Sequence, residues 1–280
     1  MDAYLTSLAT FVAINVTLAL GLNLITGFCG QVSLGHAAFF GAGAYAAALV
    51  TTGGFPFAHG VVAAILAAGL LGLVVGLASL RVREDFLAIT TMGAGFLFLG
   101  FVRKQDWLGG EFGIPGIQPP FAPRGMAVLA ILSAVLVWLA GVAVRRSWMG
   151  RIFMAIARDE EAASSIGIDT ARFKLAAFLL GTMSAGLAGA VYAHVVQLIV
   201  PDAFGFVQSI TILAMVVVGG IGSNLGAVLG AVLLTLLPEM FRFVDSYKLL
   251  VYGGLLVLVM HLSPDGLVGI GRRLLRTVRR

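Results

Sequence analysis

Arg145 to Lys174, RRSWMGRIFMAIARDEEAASSIGIDTARFK, holds ten of the chain's 31 charged residues and lies between two long apolar runs. Each charge left at mid-bilayer would cost roughly 2.5–3.5 kcal/mol, so this segment belongs outside the hydrocarbon. Working outward from it, the flanking runs read as membrane spans. Composition agrees: of 280 residues, 60% are hydrophobic and 11% charged, with mean hydropathy +1.03. A soluble domain carries about 25% charged residues. Spans need roughly 20 apolar residues each, leaving room for about eight or nine and for no soluble enzymatic domain. The expected fold is therefore all-α: one polytopic transmembrane helical bundle over residues 1–280, with broken helices.

The net charge of +5 and pI of 9.8 fit Lys and Arg gathered on cytoplasmic loops, where they orient the spans. No basic stripe is interleaved with aromatics, so nucleic acid is not expected as a partner; the lipid bilayer is. The lone Cys29 excludes an intramolecular disulfide. The start, MDAYLTSLATF, lacks a basic n-region and an A-x-A site, and reads as a retained first span. His36 has no second His, Cys or carboxylate at ligand spacing, so no metal is expected. None of the three lysines, Lys104, Lys174 and Lys248, follows a phosphate-binding glycine loop, and no nucleophile–base pair suggests catalysis. Any ATP-driven work must come from another chain.

In order, spans are expected at about Tyr4–Thr26, Leu34–Val50, Phe57–Leu80, Phe86–Val102, Met126–Val144 and Leu175–Ile199. Gly27–Ser33 (GFCGQVS) is a glycine-broken polar turn, and the glycines and prolines of Arg103–Arg124 exclude regular helix over most of that loop. Ile210–Pro238 is too long for one upright span and is interrupted by GGIGSNLG at Gly219–Gly226. A last span, Leu249–Leu262, precedes the basic tail 263–280. If the 145–174 loop and this tail are both cytoplasmic, Ile210–Pro238 must enter, turn and leave. That gives nine crossings, with the N-terminus outside and the C-terminus inside. The first two spans and the two halves of Ile210–Pro238 then form similar units around glycine turns, a hint of an internal repeat.

Within the central loop, Ile152–Ile166 is expected as one amphipathic helix along the membrane. Ile152, Phe153, Ile156 and Ile166 give its apolar side, and Arg158, Asp159, Glu160 and Glu161 its charged side. Gly167 suits the position that ends it and Asp169 the N-cap of the next span. Among intramembrane polar residues, Asn23, Gln31, Ser33, His36, Tyr45, Thr91 and Asn224 are the candidates to line a solute path, several of them beside glycine-broken backbone. The plainer role for any one of them is a helix–helix hydrogen bond.

Glu161-Ala162-Ala163, three residues, then Gly167 reads EAA-x-x-x-G, which resembles the loop by which ABC importer permeases dock on their ATPases. The resemblance covers most of the chain: it is similar to the LivM-like permease subunits of branched-chain (hydrophobic) amino-acid ABC importers. It is carried by GLNLITGFCGQVSLGHAAFFGAGAYAAAL (Gly21–Leu49), RVREDFLAITTMGAG (Arg81–Gly95), GGEFGIPGI (Gly109–Ile117), ARDEEAASSIGIDTARFKLAAF (Ala157–Phe178), VVVGGIGSNLGAVLGA and PDGLVG (Pro264–Gly269).

The resemblance implies a permease in the bacterial cytoplasmic membrane whose ATPase-coupling residues are Arg151, Ala155, Arg158, Asp159, Glu160, Glu161, Ala162, Ala163, Gly167, Ile168 and Asp169. It implies three kinds of partner: a homologous LivH-like permease, two cytoplasmic ABC ATPases that bind the ATP and Mg, and an extracytoplasmic solute-binding protein. No cofactor is then expected on this chain. Phe96 stands where the family often has a glutamate, and Leu225 near where it often has an aromatic. Urea, amides or aromatic acids are thus alternative substrates to branched-chain amino acids. A secondary carrier or channel would need ionisable groups inside the first six spans, which hold almost none apart from the histidines.

Overall fold

A computed structural model describes residues 2–79, 84–240, 253–254 and 266–269. Apart from one antiparallel bridge, Ile114 to Ile199, the described backbone is helical wherever it is regular. The α-helices are α1 (Asp2–Leu22), α2 (His36–Thr52), α3 (Phe57–Ser79), α4 (Glu84–Lys104) and α5 (Pro123–Arg146). They continue with α6 (Trp148–Arg158), α7 (Glu160–Ser165), α8 (Thr170–Val196), α9 (Phe206–Gly219) and α10 (Asn224–Met240). Six described segments are long and apolar enough to cross a bilayer. α2 and α10, each of 17 residues, are shorter. The expected last span 249–262, the tail 263–280 and the basic end of the third span at 80–83 lie outside the described residues, apart from 253–254 and 266–269.

Small residues bring the central helices together. α2, α3 and α8 form a tightly packed trio around Gly43, Gly72, Gly186 and Gly189. A β-carbon at Gly43 would lie 2.5 Å from the Gly186 Cα, so backbone meets backbone there. α1 crosses behind this trio, flanked by α5, α8 and α10, with Leu18, Leu20 and Leu22 fully buried. Large apolar side chains face outward on α3, α4 and α5, among them Leu66, Leu70, Leu97, Leu132 and Leu136, as a lipid-exposed surface requires.

α9 and α10 are an antiparallel pair joined by residues 220–223, so Ile210–Pro238 folds back on itself at the glycine turn. Gly219, Gly226 and Gly230 make the pair possible: a β-carbon at Gly226 would sit 2.7 Å from the Gly219 carbonyl oxygen. At the opposite end, residues 105–122 form two short 3₁₀ turns rather than regular helix, pinned by the Ile114–Ile199 bridge and an Arg103–Asp202 ion pair.

Two expectations about local structure need correction. The first span does not stop at Thr26; α1 runs into a six-residue π-helical turn, Asn23–Phe28, and regular helix is lost only at Cys29. The amphipathic segment is not one helix. It breaks at Asp159, which adopts extended backbone (φ −161°, ψ 101°) and caps α7 by accepting from the Ala162 N–H at 2.9 Å. A residue with a short acceptor side chain competes with helix continuation in this way.

Candidate functional site

α6 and α7 form a bent bracket below the bundle. Ser147 caps α6 through the Gly150 N–H, and Asp169 caps α8 through the Arg172 N–H, so both hinges of the bracket carry side-chain caps. Gly167 takes φ +88°, a left-handed conformation that a β-carbon disfavours, and turns the chain from α7 into α8. The inner side of the bracket is apolar. Phe153, Ile156 and Ala163 pack with Leu24, Phe28, Cys29 and Ala177 in a cluster separate from the main core. Residue Gly30, at φ +77°, lies against α6: a β-carbon there would be 3.1 Å from the Ala157 Cα. The bracket therefore rests on the π-helical turn that breaks α1. Lys174 reinforces the joint from α8. It is buried, pairs with Glu160 of α7, and its carbonyl accepts from Gln31 Nε2 at 2.9 Å.

The outer side of the bracket is a groove of about 490 Å³. Arg151, Ala155, Arg158, Asp159, Ala162 and Ala163, all from the docking set that the resemblance implies, line it together with Met154 and Ile166. Met154 is missing from that set, and Ile166, expected on the apolar side with Phe153 and Ile156, is instead 78% exposed on the groove. The break at Asp159 rotates α7 relative to α6, so a single helical wheel drawn across both misplaces Ile166. Glu160 turns toward Lys174, Ile168 packs inward, and Glu161, Gly167 and Asp169 lie exposed at the bracket's end.

Above the bracket, the two glycine-broken segments meet. Asn23, fully buried in the π-helical turn, accepts from the Gly222 N–H at 2.9 Å and donates to Asn224 Oδ1 at 3.3 Å. A β-carbon at Gly27 would lie 2.6 Å from the Gly222 nitrogen. One Asn thus locks the break in α1 to the break between α9 and α10. π-helical turns are rare and are frequently found at functional sites. Gly266 adds a third chain segment, its β-position 2.6 Å from Gly220.

The remaining path candidates lie elsewhere. Thr91 Oγ1 accepts from the Leu34 N–H at 3.0 Å and donates to the Ala88 carbonyl, holding α4 to the entry of α2. Ser33, His36 and Tyr45 are buried, and their side chains have no hydrogen-bond partner among the described residues. Tyr45 stacks edge-on with Phe98 and Phe204. A polar opening lies between α1, α9 and α10 and is lined by Ser7, Asn15, Gln208, Thr211, Thr235 and Glu239. Of these, Asn15 carries a signal in the sequence, as an amide inside an apolar run.

Residues 4–260 match the family model described as branched-chain amino acid transport system / permease component. The chain is 32% identical over 297 aligned positions to the high-affinity branched-chain amino acid transport system permease protein LivM of Escherichia coli K12, covering 95% of this chain and 70% of that one. It is 26% identical to the LivH permease protein of the same organism, covering 90% of each chain. A probable LivM of Methanocaldococcus jannaschii is 25% identical over 74% of this chain and 68% of its own length.

Proposed function

Since this chain belongs to the branched-chain amino acid transport permease family, we propose that it is the membrane subunit through which an ATP-driven importer takes up branched-chain amino acids. In this reading α6 and α7 face the cytoplasm and the groove between them seats a cytoplasmic ATPase subunit. A homologous permease completes the membrane part, and an extracytoplasmic binding protein delivers the solute. The observation that carries the reading is the two-sided bracket: an exposed groove on one face and, on the other, an apolar cluster resting on the break in α1.

The chemistry of transport then becomes mechanics. When two ATPases close on ATP, they drag the bracket through Met154, Ile166 and the flanking Arg151 and Arg158. Phe153 and Ile156 pass that motion to Leu24 and Phe28. The π-helical turn carries Asn23 with it, and Asn23 carries the 220–223 turn between α9 and α10. A lever of this kind transmits work only if its joints are rigid, which the caps at Ser147, Asp159 and Asp169 and the Lys174–Glu160 pair supply. The ATPase contributes free energy by binding one arrangement of the bracket more tightly than the other.

Ile166→Glu and Met154→Glu test this directly. Both side chains are exposed, so the variants should fold and reach the membrane as the parent does. Co-purification of the ATPases and ATP-dependent leucine uptake in vesicles should both collapse. Retention of full uptake by both variants overturns the docking role.

A further inference from the structure

The opening between α1, α9 and α10, about 720 Å³, is lined by several polar side chains, and nothing assigned so far uses it. It begins beside Tyr4 and ends at Asn15, eleven residues along α1, or roughly 16 Å at 1.5 Å per residue. That is about half the thickness of the hydrocarbon layer. Ser7, Gln208 and Thr211 line its length, and its floor is closed where Asn15 Nδ2 donates to Thr235 Oγ1 at 3.0 Å beside Met215. Polar side chains at this depth are not presented to lipid without cost. The groove on the other side of α1, lined by Ala9, Val12, Val16, Ile131 and Val135, shows what a lipid-compatible face of this protein looks like.

Among the described residues Glu239 is the only charged one lining the opening, and it sits at the mouth, accepting from the Tyr4 hydroxyl at 2.8 Å. The rest of the wall alternates these polar groups with Leu8, Phe11, Val207 and Leu234. An anionic mouth above a half-apolar wall suits one ligand class: a zwitterion with a free ammonium and an aliphatic side chain.

We infer that this groove is the subunit's wall of the outer half of the solute path, that Glu239 receives the ammonium of an entering amino acid, and that the Asn15–Thr235 contact is the floor that must part for passage. The inference rests on the permease reading and adds to it where the solute travels. It places the path on residues other than the buried Gln31, Ser33, His36, Tyr45 and Thr91.

Single cysteines at Ser7 and Thr211, introduced into the full chain in its assembled transporter in intact cells, test the groove. The probe is a charged, membrane-impermeant thiol reagent; Leu70→Cys on the outward face of α3 is the control, and the buried natural Cys29 sets the background. Ser7→Cys and Thr211→Cys should label and Leu70→Cys should not. Glu239→Gln should lower leucine uptake by roughly ten-fold at saturating loaded binding protein, the scale of one lost charge-assisted hydrogen bond, while ATP hydrolysis continues; Glu239→Asp should recover part of it. Unlabelled cysteines in a transporter that still imports leucine overturn the groove and leave the permease reading standing. Wild-type uptake by Glu239→Gln overturns the ammonium site. Labelled cysteines in an assembly that imports no amino acid overturn the permease reading and the ammonium site together, and leave a water-filled groove.

Discussion

Asn23→Leu cuts the joint between the two broken helices while keeping the branched shape of the side chain; it leaves no cavity, though its two methyl groups are larger than the amide and crowd Gly27. It removes two hydrogen bonds in a fully buried site, from Gly222 N–H and to Asn224 Oδ1. Interhelical hydrogen bonds in membrane bundles are worth about 0.6 kcal/mol on average and at most about 1.7, so the pair should contribute roughly 1–3 kcal/mol. At 1.4 kcal/mol per decade, that frees the junction by roughly five- to 150-fold. The bracket should then move without carrying the 220–223 turn. In the purified assembly in nanodiscs or proteoliposomes, ATP hydrolysis should persist while leucine moved per ATP falls several-fold. Thermal unfolding should report the same loss of stability. Asn224→Leu and the double variant complete the test: the two changes should fall short of additive by roughly 0.6–1.7 kcal/mol, the share carried by the Asn23–Asn224 bond. An unchanged leucine-to-ATP ratio in Asn23→Leu, with additivity within about 0.5 kcal/mol, would refute the lever.

Gly230→Ala should sharply reduce the yield of folded protein, because its β-carbon would strike the Met215 carbonyl in the α9–α10 seam, whereas Gly93→Ala, with open space at its β-position, should be neutral or stabilising by up to about 1 kcal/mol; size-exclusion yield and unfolding temperature read both. Lys174→Met should destabilise by at most the roughly 3–5 kcal/mol of a fully buried pair, since Glu160 keeps some contact with water, and adding Glu160→Gln should restore most of it in a thermal-unfolding series. Gly167→Ala should cost about 1 kcal/mol or more through its φ of +88° and should weaken ATPase co-purification ahead of overall stability.

The one-dimensional pattern was enough for the class of fold. Charges concentrated in Arg145–Lys174 and long apolar runs elsewhere admit only a multi-pass bundle, because hydrocarbon excludes charge and unsatisfied backbone alike. Local signals were equally legible. Gly167 and Asp169 end and start helices where their backbone chemistry says they should, and GGIGSNLG breaks its span as glycines, a turn and a short cap demand. The EAA-x-x-x-G pattern and its neighbours pointed to the family to which the chain belongs.

Helical periodicity did not reveal the break at Asp159, since a wheel assumes one continuous axis; hence it groups Ile166 with Phe153 and Ile156 and passes over Met154. Polar residues in spans could be recognised one by one, but not sorted into those that face each other and those that face a groove. Asn23 meets Gly222 across 199 residues of chain, and Asn15 meets Thr235 across 220. Such partners are chosen by how α1, α9 and α10 pack, and a sequence records the period of a helix without recording which neighbour its polar face will find. The sequence alone therefore determined a multi-pass helical membrane protein with one charged segment kept out of the hydrocarbon. Only the packed structure decided what the bracket rests on and where a polar groove opens, because both depend on contacts between helices far apart in the chain.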